Sequence, residues 1–196
     1  MSEISATTYK FHLEEENDGH KCLYKCFFSA IEHYWKNSFQ NAALANHLRN
    51  AIPDCFRMAV AHHIRKNKSS YLTFLPSDTY CESVDVYCEE IENHRLCGFD
   101  PEIRALAMLF GIQIRLVSRT KNTYGKYTTD ISCHGDVKSF KQCIYILNDQ
   151  ENKRYGLLYI INKKDSREQF TIFPSNDEAL NVLISEYIRE EFHGNN

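Results

Sequence analysis

The residue with the strongest claim to chemistry is a cysteine at the head of an apolar-periodic segment. Cys22 follows the run Asp18-Gly19-His20-Lys21 and opens a stretch in which Leu23, Cys26, Phe27, Ala30, Ile31 and Tyr34 recur at the spacing of one helical face. A thiol in the first turn of a helix is favoured as thiolate by the unsatisfied N–H groups there, and the amides of a preceding glycine-containing loop can hold an oxyanion. Lys21 strengthens the thiolate, whereas Asp18 opposes it. The same position also suits an ordinary small buried residue, and position alone favours that reading. A nucleophile also needs a base. His20 sits beside Cys22, His94 precedes a loop around Gly98, and His134 lies in a polar stretch that could fold over the site; His12, His33, His47 and His193 have no such case.

The elements that must position these side chains follow from the hydrophobic period. A helix begins at Cys22, with Phe28 and Trp35 on a second edge, as in a helix covered on two sides. A short helical stretch over 41–48 leads to Pro53, expected in the first turn of a separate helix carrying Phe56, Ala59, Val60, His63 and Ile64. Ser77 or Asp78 is expected to cap a helix with Tyr80, Val84, Tyr87, Cys88 and Ile91. Asp100 as cap, Pro101 in the first turn, the stripe Ile103, Leu106, Ala107 and Phe110, and Gly111 as terminator define the next helix.

From Ile112 the period changes from 3.6 to 2, which predicts a strand through Ile114 and Leu116. The runs 143–147 and 155–161 predict an antiparallel hairpin, and 169–173 a further short strand. The intervening segment 119–136 reads as either a long loop or a weak hairpin. Ser175 and Glu178 stand in capping-box positions before a last helix with Leu180, Leu183, Ile184, Tyr187 and Ile188. Helices first and strands later predict an α+β fold, with a single domain over 18–192 behind an extended polar lead-in at 1–17.

Composition narrows the partners. The 196 residues carry 23 Lys+Arg against 26 Asp+Glu, a net charge of −3, so no basic face is expected for nucleic acid. No apolar run reaches the roughly 20 residues of a membrane span, and no membrane association is expected. Eight cysteines include no Cys-x-x-Cys pair, so neither structural zinc nor another metal or cofactor is expected. Free thiols fit a reducing compartment, expected to be the cytoplasm, with the nucleus or a host-cell cytosol equally compatible. The chain is expected to act as a monomer.

The segment Asp18-Gly19-His20-Lys21-Cys22-Leu23-Tyr24-Lys25 resembles the Asp-Gly-x-Cys-Leu-aromatic-basic signature of the ovarian tumour (OTU) family of cysteine deubiquitinases. Three further blocks follow in the family's order: Leu48-Arg49, then 61–67 with Phe74-Leu75; Tyr87-Cys88-Glu89-Glu90-Ile91 and Gly98; and Glu102-Ile103-Arg104-Ala105-Leu106-Ala107 with 112–117. The similarity spans Asp18 to Tyr159. It implies an OTU-like fold, a small and mainly antiparallel sheet sandwiched between helices, and hydrolysis of the isopeptide bond after the C-terminal glycine of ubiquitin or a ubiquitin-like protein. It further implies Cys22 as nucleophile, Asp18 grouped with it, and Gly19, His20 and Lys21 as the oxyanion loop.

Two departures accompany the resemblance. His20 and Lys21 both intervene between Gly19 and Cys22, where the family has one residue. Where the family places His, an aromatic or aliphatic residue, and Asp or Asn, this chain has Arg154-Tyr155-Gly156. Arginine stays protonated above pH 12 and cannot take the thiol proton. Two functions stay open: a divergent deubiquitinase with a substitute base, for which His134 is the candidate, or a catalytically impaired OTU pseudoprotease that serves as a ubiquitin-binding or interaction module. The acidic run Glu14-Glu15-Glu16 before the site is either a solvated surface or a steering element for a basic modifier tail.

Overall fold

A computed structural model describes residues 8–16, 22–32, 42–76, 81–96, 98–124, 126–136 and 138–193, with only the backbone for 42–50. The chain order is β1 (Tyr9–Glu16), α1 (Cys22–Glu32), α2 (Ala42–Lys66), α3 (Lys68–Tyr71) with a 3₁₀ turn (Leu72–Phe74), α4 (Val84–Glu92), α5 (Asp100–Phe110), β2 (Gln113–Lys121), β3 (Tyr127–His134), β4 (Gln142–Asp149), β5 (Arg154–Asn162), β6 (Gln169–Phe170), β7 (Phe173–Pro174) and α6 (Glu178–His193).

The sheet runs β1-β5-β4-β2-β3, with β6 beside β5 and β7 beside β4. Among the described residues β2 and β4 pair in parallel and every other pairing is antiparallel. Alternation along the strands divides the apolar side chains between two layers. Ile114, Leu116, Ile144, Ile146, Tyr155 and Leu157 pack with α1, α2, α4 and α5. Val117, Cys143, Tyr145, Leu147, Leu158 and Ile160 pack with Leu180, Leu183, Ile184 and Ile188 of α6. The sheet therefore lies between helices in an α+β fold, as the resemblance implied.

Several expectations need correction. The acidic lead-in is an edge strand: Tyr9 and Phe11 are buried, and β1 pairs with β5 over its whole length. Its period of two was present in Tyr9, Phe11 and Leu13, masked by the glutamates that follow. Pro53 does not open a helix but lies inside the 25-residue α2. Proline removes one N–H donor, and good helical sequence on both sides keeps the element continuous. Ser83 caps α4, its hydroxyl accepting from Val86 N, while 77–80 lie outside the described residues. Asp177 rather than Ser175 caps α6, accepting from Leu180 N at 3.1 Å, because the Ser175 hydroxyl donates to Phe140 O. The stretch 119–136 is a true hairpin, β2 with β3.

Candidate active site

Cys22 heads α1 and is 2% exposed. Helix α1 packs mainly across β5. Glu14 stands opposite Leu157 and Glu16 opposite Tyr155, so both glutamates share the α1 face of the sheet. Cys26, one turn beyond Cys22, is fully buried; burial first, then Cys22, Glu16 and Glu14, push its thiol well up. Of the two thiols on α1, Cys22 alone sits in the first turn, where the helix terminus favours an anion. Asp18, Gly19, His20 and Lys21 lie outside the described residues.

The start of β5 is occupied differently from an imidazole site. Arg154 and Gly156 alternate with Tyr155 and Leu157, so they point to the α6 side of the sheet. There Arg154 Nη2 lies 2.8 Å from Glu15 Oε1, and its Nε lies 3.5 Å from Asp149 Oδ2. Asp149 is 1% exposed and also binds Arg119 and Asn152. Burial pushes its carboxyl up, but the bonds from Asn152 and Arg119 outweigh this and hold it below the usual range. Gly156 leaves no room for a carboxylate: a Cβ there would stand 2.5 Å from Leu13 Cδ1 and 3.2 Å from the Glu14 carbonyl oxygen.

The α1 face at this end is filled by Tyr155, whose hydroxyl donates to Gly98 O. Its ring lies so close that a Cβ at residue 98 would stand 2.2 Å away, and φ of +86° there also requires glycine. The loop around Gly98 is pinned from two sides. Glu102, fully buried, accepts from Gly98 N at 3.1 Å, from Phe99 N at 3.2 Å and from the Tyr87 hydroxyl. Burial pushes its carboxyl up to about 7, against those hydrogen bonds. Arg57, 1% exposed, donates through Nη1 to Leu96 O at 3.0 Å and Ile91 O at 3.2 Å, with its guanidinium 4.7 Å from the centre of the Tyr24 ring on α1. Arg57 was not singled out from the sequence, although it falls on one helical stripe with Val60, Ala61 and Ile64, which is a signal of burial.

His134 is not a loop residue poised over Cys22. It ends β3, opposite Ile114, whereas Tyr155 lies on the row of Asn148, Ser118 and Asp130. Three inter-strand spacings and four residues separate His134 from the start of β5, about 20 Å at ordinary strand spacings. His94, in a turn with φ of +59°, lies 3.8 Å from Asp54. β5 itself contains no histidine. Among the described residues no group of His, Cys, Asp and Glu is arranged to hold a metal, and no helix is long and apolar enough to cross a membrane.

Cys22 thus heads a helix packed on a mixed sheet that carries helices on both faces. A sequence profile described as OTU-like cysteine protease matches residues 17–150, and the chain belongs to that family. Solved structures agree on the fold. An OTU domain solved in complex with ubiquitin aligns with a TM-score of 0.56 at 16% identity, covering 92% of this chain and 90% of its own. The OTUD1 OTU domain aligns at 0.54 and 14% identity, over 76% of this chain and 85% of its own. An OTU deubiquitinase from Wolbachia pipientis wMel, bound to ubiquitin, aligns at 0.53 and 15% identity, over 76% and 95%. No curated protein sequence matches.

Proposed function

We propose that this chain engages ubiquitin or a ubiquitin-like modifier and attacks its C-terminal carbonyl through Cys22, with slow turnover because the acid–base half of the reaction is impaired. Family membership, the position of Cys22 at the head of α1, and the ubiquitin-bound relatives support the first part. The second part is carried by one observation: Arg154, at the start of β5, is engaged by Glu15 and Asp149 on the far face of the sheet.

In this reaction the Cys22 sulfur adds to the isopeptide carbonyl, the C–N bond breaks, and the amine must leave with a proton. Water then cleaves the thioester. Without an imidazole to move those protons the rate falls by about 10²–10⁴. Free thiols at seven described cysteines fit the reducing cytoplasm or nucleus as the place of action. The test is a di-ubiquitin panel with ubiquitin-like conjugates, run beside a binding titration. Binding with slow, Cys22-dependent cleavage is expected; efficient turnover, or cleavage unchanged in Cys22→Ala, would overturn the proposal.

A second reading, a non-catalytic binding module, is favoured by the burial of Cys22 at 2% exposure. Binding without any Cys22 reaction would establish it in place of the first.

A further inference from the structure

Away from Cys22, three side chains are arranged as nucleophile, base and orienting acid. Ser132 and His134 are two apart on β3 and therefore share a face of the strand. Ser132 Oγ lies 3.0 Å from His134 Nε2, and His134 Nδ1 lies 3.1 Å from Asp100 Oδ1. The second contact is at ion-pair distance but short of a hydrogen bond, and His134 Nδ1 is buried with no hydrogen-bond partner. Such bonds commonly tighten only when substrate is bound. Arg104 grips Asp100 from the other side. Burial pushes the Asp100 carboxyl up, but His134 and Arg104 prevail and hold it low, so the acid is an anion at neutral pH. His134 is 5% exposed, which shields the imidazole, while Ser132 is only half-buried on an edge strand paired with β2 alone among the described residues.

We propose that Ser132, His134 and Asp100 form a second nucleophilic centre, independent of Cys22, that takes acyl groups from activated esters. Asp100 keeps the proton on Nδ1, leaving Nε2 to accept the Ser132 hydroxyl proton. The Ser132 oxygen bonds to the ester carbonyl carbon, and the ester C–O bond breaks. The alcohol leaves with the proton returned by His134. Water, deprotonated by the same imidazole, then releases the acid and restores the serine.

The experiment is reaction of the full chain with a fluorophosphonate, in which the Ser132 oxygen displaces fluoride from phosphorus, located by peptide mapping. A Ser132 adduct is expected in wild type and equally in Cys22→Ala, so failure of the Cys22 reading leaves this result untouched. Ser132→Ala should lose it, and His134→Gln and Asp100→Asn should each slow it by about 10²-fold or more. Melting curves identify any variant that fails to fold, and the labelling rate of Ser132 relative to the exposed Ser139 in wild type decides the matter without variants. Labelling of Ser132 no faster than of the exposed Ser139, or a rate unchanged in folded His134→Gln, would overturn the proposal.

Discussion

Arg154 and Gly156, which the family resemblance sets at the positions of its histidine and acid, have surroundings that argue against simple repair. An imidazole at 154 would face Glu15 and Asp149 on the α6 side, so Arg154→His is expected to raise ubiquitin cleavage by less than about 10-fold, below the usual acid–base contribution. Gly156→Asp should lower stability by about 1–3 kcal/mol, because its Cβ collides with Leu13 and crowds the Glu14 carbonyl. Cleavage assays and denaturant melts of the single and double variants check both; a double variant as stable as wild type and as active as an intact triad would contradict the assignment of faces. Glu102 gives a pH prediction. Its carboxyl is pushed up to about 7, so between about pH 4.5 and 7 the folded state holds a proton that the unfolded chain has released. Stability should therefore fall as pH rises through that window, by about 1–3 kcal/mol, and level off above it. Denaturant unfolding at pH 5 and pH 8 should show that loss, and Glu102→Gln should flatten it.

At the scale of elements, the loop before α5 is held by a charge from one helix and an acid from another. Arg57→Met would leave the carbonyls of Ile91 and Leu96 without its guanidinium, at a cost of about 2–4 kcal/mol. The same change should slow the Cys22 reaction, since Arg57 links that loop to Tyr24, two residues along α1. A melt beside a thiol-trap rate checks both, and an unchanged trap rate at reduced stability would confine Arg57 to a structural role. Much of this level was legible in the sequence. α1, α5 and the β4–β5 hairpin carry clean periods, and Gly111 adopts the left-handed conformation expected of a helix terminator. The family blocks located Gly98 and Glu102 but not the contact of Gly98 with Tyr155, which joins residues 57 apart. β1 was hidden because a strand edge tolerates the charges of Glu14 and Glu16 that periodicity counts against it. The side to which Arg154 points was hidden because a one-residue shift of register reverses every side chain, and only pairing with β1 and β4 fixes it.

Across the whole molecule the sheet separates two chemistries. Its helical face carries Cys22 and Tyr155, with the Gly98 loop against the tyrosine ring, while its α6 face carries the ion cluster of Glu15, Arg119, Asp149 and Arg154. The acidic run before the site is thereby divided. Glu15 is committed to Arg154, leaving Glu14 and Glu16 on the face that holds Cys22. The fold thus places Cys22 on one face of the sheet and turns Arg154 to the other. The most direct measurement is reaction of wild type and Cys22→Ala with ubiquitin carrying a thiol-reactive C-terminal group, followed over time beside cleavage of di-ubiquitin. A covalent adduct that depends on Cys22, formed much faster than any di-ubiquitin is cleaved, is the predicted result; no adduct, or cleavage that keeps pace with adduct formation, would contradict it.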